Sequence, residues 1–310
     1  MEVGKHVWPV VGLVAVLFSA WLLYGELRNM SLDDLWDSLT AISLRDWLLA
    51  IAGTLLAYAA LAGYDHVALL HLRRHVDWRF VTVCSFTTYA LSHNIGASVF
   101  SGGLVRYRAY KSRGLSGSEV GILVALCSVT FALGAVILMG AVLILEPEFT
   151  ERFADLLPLQ VSTFMGVLLL LGVALYMLGS FLKLPPLKLG SLKLEYPRPE
   201  IVLRQLVVGP IELIGAAAII YFTLPETGNP GFVVVLGIFL TSFCAALLSH
   251  APGGLGVLEL VFIIGLPEMA PEDVLAALLV FRLLYLLIPL AVALLVVLGF
   301  ERGQFLRSRD

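Results

Sequence analysis

The stretch "LSHAPGGLGVLE", residues 248–259, carries a proline, three glycines, a histidine and a glutamate inside one of the most apolar parts of the chain. A proline followed by glycines interrupts a helix. Backbone groups freed by such a break cannot face lipid, where each unsatisfied group costs several kcal/mol. The break must therefore be buried in protein or line a watery cavity. The whole chain sets that context: of 310 residues, 59% are hydrophobic and 14% charged, and the mean hydropathy is +0.94. Such values lie outside soluble globular usage and exclude a soluble enzyme. Cys84, Cys127 and Cys244 are scattered through apolar segments without pairing or metal spacing and read as small core residues.

Apolar runs near 7–24, 47–70, 119–145, 161–182, 203–223 and 274–299 are long enough to cross a bilayer, which takes about 20 residues. Residues 7–24 lack a small-residue cleavage site and read as a first span rather than a signal peptide. Two further stretches, 80–104 interrupted at "SHNIGAS" (92–98) and 231–267 interrupted at the quoted stretch, read as bent hairpins. Their short arms, 80–92 for example, fall below the length of a crossing.

Cytoplasmic loops carry Lys and Arg in excess. With the N-terminus inside, 16 of the 20 basic residues fall on the cytoplasmic side, among them Arg73, Arg74, Arg106, Arg108 and Arg302. The outer loops carry Asp33, Asp34, Asp37, Glu146, Glu148, Glu151, Glu268, Glu272 and Asp273 instead. Both termini are then cytoplasmic, and the two hairpins open to opposite sides.

The hairpins also resemble each other. "SFTTYALSH" (85–93) and "SFCAALLSH" (242–250) agree at five of nine positions, and each precedes a glycine-containing turn. The expectation is an all-α polytopic membrane protein: six transmembrane helices plus two re-entrant hairpins in an inverted-topology repeat. Unit A covers 1–147, unit B covers 158–300, and 301–310 form a cytoplasmic tail. Paired broken helices in inverted repeats characterise alternating-access transporters.

Glu212, Glu259 and Arg282 are the ionisable residues set deepest in apolar sequence, where each costs about 2.5 to 3.5 kcal/mol on insertion scales. They should face the protein interior. Arg282 with Glu259 or Glu212 forms either the polar centre of a substrate or proton pathway or a static pair that fixes packing. Asp65 and His66 read as solvated at the membrane interface, and Glu119 as the end of a "SGSE" capping box begun by Ser116. His93 and His250, one at each break, either relay protons or bond backbone groups freed by the turns. No metal ligand spacing accompanies them. The run "VRYRAYKSR" (105–113), with Arg106 and Arg108, suits anionic headgroups, each cation being worth about 1 kcal/mol. Positive-inside anchoring explains the same run.

At "PGGLGVLE" (252–259), "FRLLYLLIPL" (281–290) and "SGGLVRYRAY" (101–110) the chain resembles the flippase-like membrane domain of the lysylphosphatidylglycerol synthase family, also called multiple peptide resistance factor. The resemblance covers most of residues 80–300. It implies a role for Pro252, Gly253, Gly254, Gly256, Glu259, Arg282, Tyr285 and Pro289, and a place in a bacterial or archaeal cytoplasmic membrane. Larger members join such a domain to a cytoplasmic aminoacyl transferase; with its last residue at Asp310, this sequence is expected to be a stand-alone form without the synthase, and not an enzyme.

The first functional reading is thus a lipid flippase whose paired hairpins admit a headgroup, anionic or aminoacylated, while the acyl chains stay in the bilayer. A carrier of a small soluble solute, an enzyme acting on membrane lipids and a scaffold for a separate lipid-modifying enzyme are the alternatives. No P-loop motif appears, no cofactor is expected, and the expected partners are membrane phospholipids rather than nucleic acid.

Overall fold

A computed structural model describes residues 32–95, 98–154, 163–182, 187–189, 192–194, 196–249 and 254–307. The span expected at 7–24, and the break residues His250, Pro252 and Gly253, lie outside the described residues. The order is α1 (Leu32–Ala41), α2 (Leu44–His71), α3 (Trp78–Ile95), α4 (Ser98–Lys111), α5 (Gly117–Leu145), a 3-10 turn (Phe149–Phe153), α6 (Thr163–Phe181) and a small antiparallel ribbon of β1 (Leu187–Leu189) and β2 (Leu192–Leu194). Then come α7 (Pro199–Thr223), α8 (Phe232–Ser249), α9 (Val257–Gly265), α10 (Pro271–Phe281), a π-turn (Arg282–Leu287) and α11 (Ile288–Arg307).

Among the described residues, five segments are long and apolar enough to cross a membrane: α2, α5, α6, α7 and the continuous run Pro271–Gly299. They coincide with five of the expected spans. The caps behave as their chemistry requires. Ser43 accepts from Asp46 N at the start of α2, and Ser116 and Glu119 form the reciprocal capping box of α5, satisfying amides that no helical carbonyl reaches. Leucines on α6, such as Leu171, Leu175 and Leu178, remain about half exposed and present an apolar outer face suited to lipid.

Apolar helices in lipid gain little by hiding apolar surface from one another, so close packing of small residues holds them together. α2 packs most extensively along α7. A Cβ on Gly53 would sit 2.8 Å from Gly215 O, and one on Gly215 2.8 Å from Ala57 N, so the backbones touch there. α5 crosses α7 in the same manner at Gly134 and Gly209, where an added Cβ on Gly134 would lie 2.5 Å from the Gly209 carbonyl carbon.

Three expectations change. The break placed at 92–98 begins later, because α3 continues through Ser92 and His93 to Ile95; Ser92 Oγ donates to Thr88 O and Asn94 Nδ2 to Ala90 O, side-chain bonds that stay within the helix rather than end it. The first arm is therefore 18 residues long, about 27 Å, close to a full hydrocarbon thickness. The basic run 105–113 is mostly helix rather than loop, since α4 extends to Lys111. The acidic segment around Asp33, Asp34 and Asp37 is the helix α1, packed against α10, with Asp33 and Asp34 in its first turn, where the helix dipole favours carboxylates.

Candidate functional site

The span Pro271–Gly299 changes pitch into the π-turn that holds Arg282 and Tyr285. Pro289 follows directly and has no N–H, so the α-helical bond that would close on Tyr285 O is missing. That carbonyl accepts from Tyr58 Oη of α2 at 2.9 Å, and Leu286 O accepts from Asn94 Nδ2 of α3 at 3.1 Å. The irregular backbone is thus satisfied by side chains from two neighbouring helices, as buried membrane breaks require.

Tyr285, 1% exposed, donates its hydroxyl to Glu212 Oε1 of α7 at 2.6 Å. Tyr64 of α2 shares its hydroxyl between Glu212 Oε2 at 3.4 Å and Gly209 O at 3.3 Å. The carboxyl is 3% exposed and its hydrogen-bond partners are tyrosines. His93 stacks on the Tyr285 ring at 5.3 Å and leans on Tyr89 at 5.7 Å, and its Nδ1 is enclosed without a hydrogen-bond partner.

Asp65 is fully buried rather than solvated at the interface. It receives Arg106 Nη2 at 2.6 Å, Tyr110 Oη at 2.8 Å and Cys127 Sγ at 3.5 Å. Arg106, 4% exposed, lies 4.6 Å over the Tyr89 ring as well. The expectation that Arg106 meets headgroups is therefore corrected: α4 carries it inward, where a charge is tolerable only when paired. Arg108, two residues on, is exposed.

The choice between Glu259 and Glu212 for Arg282 is resolved for Glu259. Arg282 Nε lies 2.7 Å and Nη2 2.5 Å from Glu259 Oε1. Glu259 Oε2 accepts from Gly256 N at 2.9 Å and so caps α9 with its own carboxylate. The first turn of α9 is thus occupied by a carboxylate of its own. Gly254 and Gly256, with φ of +66° and +77°, take the left-handed conformation that glycine adopts most readily.

Of the predicted residues, His93, Glu212 and Tyr285 meet in one polar cluster, to which Arg106 connects through Tyr89 and Tyr64. Glu259, Arg282, Gly254 and Gly256 form a second group at the start of α9. Tyr58, Tyr64, Tyr89, Asn94 and Tyr110 were missed, and Asp65 was read as solvated. Their signal was periodicity: Tyr58 and Asp65 stand seven apart on α2, and Tyr89 with His93 and Arg106 with Tyr110 four apart, each pair on one helical face. A separate cavity of about 520 Å³ lies at the Leu44 end of α2, lined among others by Arg45, Asp46, Tyr221, Glu226 and Asp273.

A mostly helical chain with several spans long and apolar enough to cross a membrane, and buried ion pairs between its helices, defines a polytopic membrane protein with a polar interior. The chain belongs to the family of the lysylphosphatidylglycerol synthase transmembrane region, whose model matches residues 10–293. It is 30% identical to the inner membrane protein YbhN of Escherichia coli over 100% of this chain and 96% of that protein. To an uncharacterized protein of Synechocystis sp. it is 29% identical over 99% of this chain and 96% of the relative. The phosphatidylglycerol lysyltransferase of Bacillus subtilis is 22% identical over 96% of this chain but only 34% of its own length.

Proposed function

We propose that this chain is a non-catalytic lipid transporter of the bacterial inner membrane that moves phospholipid, anionic or aminoacylated, between leaflets. Residues 1–147 and 158–300 would be the two inverted units, with α3–α4 and α8–α9 as opposed hairpins and both termini cytoplasmic. The observation that carries the reading is the polar cluster of Glu212, Tyr64, Tyr285 and His93, enclosed among apolar spans where an incoming headgroup would find donors and acceptors. Family membership supports a lipid cargo, as do relatives named for phosphatidylglycerol lysyl transfer. In this reading Pro252, Gly253, Gly254 and Gly256 let the backbone of the second hairpin approach the cargo, His250 mirrors His93, and Arg108 meets headgroups at the surface.

The test is reconstitution into liposomes holding a fluorescent phospholipid, followed by dithionite quenching from outside. Faster loss of inner-leaflet fluorescence than in protein-free liposomes supports the proposal. Equal rates with anionic, zwitterionic and aminoacylated lipids, with and without a proton gradient, remove it.

A further inference from the structure

The interior holds Asp65, Glu212 and Glu259 against Arg106 and Arg282, and both cations are committed, Arg106 to Asp65 and Arg282 to Glu259. Among the described residues, Glu212 has hydroxyls alone as side-chain partners. A buried carboxylate without a cation is costly, and such a group lowers its cost by taking up a proton. We infer that Glu212 is a proton-binding site that couples transport to protons, with Tyr64 as the hydroxyl that changes partner when the proton binds; this rests on the transport reading for its purpose.

The geometry accommodates both protonation states. With the carboxylate ionised, Tyr285 donates to Oε1 and Tyr64 to Oε2. When a proton adds to Oε2, an O–H bond forms there and nothing is displaced. Tyr64 turns its own proton to Gly209 O, already 3.3 Å away, and accepts from the new carboxyl O–H, while Tyr285 keeps donating to Oε1. The two carboxyl oxygens and the two tyrosine hydroxyls each retain a partner in either state. The carbonyl that Tyr64 engages belongs to the residue before Pro210, at the close crossing of α7 with α5, so protonation alters a bond at a backbone contact between spans.

The titratable groups around the site are few. α2 brings Tyr58, Tyr64 and Asp65, and the π-turn brings Tyr285 and Arg282. α3 brings Tyr89 and His93 behind those rings. α5 brings Cys127, bonded to Asp65, with Glu119 in its first turn, and α6 brings Tyr176, bonded to Gln205. α8 carries Cys244, and α10 carries Glu272 and Asp273 in its first turn only.

The test is infrared difference spectroscopy of the purified full chain between alkaline and acid buffer. Acidification protonates the surface carboxylates in both proteins, so the wild-type spectrum minus that of Glu212→Gln should hold one additional carbonyl stretch, that of the buried protonated carboxyl. In Tyr285→Phe, which removes a donor to the ionised form, the midpoint should move to higher pH by about one to two units. A wild-type spectrum without that band, an unchanged band in Glu212→Gln, or a Tyr285→Phe midpoint that stays or moves to lower pH overturns the site. In liposomes, lipid exchange should vary with pH in the wild type and not in Glu212→Gln; the same pH dependence in both overturns the coupling. A titrating Glu212 in a protein that exchanges no lipid leaves the proton site standing and removes the lipid reading.

Discussion

Tyr58 Oη donates to Tyr285 O across 2.9 Å, joining α2 to a span 227 positions later in the chain. The carbonyl it reaches stands four residues before Pro289, whose missing N–H leaves the place open. Removing the hydroxyl while keeping the ring should leave a buried carbonyl short of a donor, at about 1 to 3 kcal/mol. Tyr58→Phe is therefore expected to lower the denaturation midpoint in detergent. Pro289→Ala supplies an amide to the same helix, so the double substitution should cost less than the sum of the two. Additive losses would show that the hydroxyl does not stand in for the absent amide.

Asp65 and Arg106 make the next prediction. Taking one member from a buried pair strands the other, at about 3 to 5 kcal/mol. Asp65→Leu and Arg106→Leu should each destabilise severely, and the double substitution should recover much of the loss. Arg108→Ala, altering an exposed residue of the same helix, should leave stability nearly unchanged and weaken adhesion to anionic vesicles. Vesicle binding lost in Arg106→Leu protein that remains fully stable would restore the headgroup role to Arg106.

Glu259 holds two positions at once, Arg282 through Oε1 and the Gly256 amide through Oε2. Thermal unfolding of Arg282→Ala combined with Glu259→Ala should show strong coupling, whereas Arg282→Ala with Glu212→Ala should be additive. Glu259→Gln keeps an oxygen for the Gly256 amide and should be milder than Glu259→Ala by about 1 kcal/mol, the usual worth of a helix cap. Equal losses for the two would mean that the cap contributes nothing.

At the surface, Glu268 meets Arg152 at 2.9 Å. Partial burial raises its carboxyl pKa, and the hydrogen bond and charge of Arg152 lower it by more, so the group lies below its ordinary value. A depressed carboxylate contributes stability that is present above its unfolded pKa and lost as pH falls through the folded one. Because the glutamate is 45% exposed, water screens the pair and the effect is under about 1 kcal/mol. Arg152→Ala should weaken the protein slightly at neutral pH and not in acid; a loss equal at both pH values would assign it to the bond from Arg152 to Gly265 O.

Five of the six expected spans, those within the described residues, were legible because twenty-residue apolar runs have one physical outcome in lipid, and the Ser116–Glu119 cap because its two bonds are local. Arg282 and its glutamate were legible as a pair but not as a choice, since α7 and α9 both bring a carboxylate near the π-turn and only tertiary packing separates them. Asp65 was misread because its position near a helix end allows solvation as readily as burial; what buries it is α4, whose extension through residues 105–111 was hidden by a basic composition that loops share. The tyrosines were overlooked because their rings resemble core and only their hydroxyls carry the polar contacts.

Gly254 gives the prediction that joins fold to transport. Its φ of +66° lies where a Cβ is strained, at about 1 to 2 kcal/mol. An added Cβ would also press on Ala246 Cβ of α8 at 3.2 Å, so a larger side chain has to part Gly254 from α8. The Glu259–Arg282 pair and the buried core of α9 lie beyond the turn and remain to hold the fold. Gly254→Leu is thus expected to fold, with a modestly lowered thermal midpoint, and to lose lipid exchange in liposomes, while Gly254→Ala retains an intermediate rate. Wild-type exchange in folded Gly254→Leu would show that the approach of Gly254 to α8 has no part in transport.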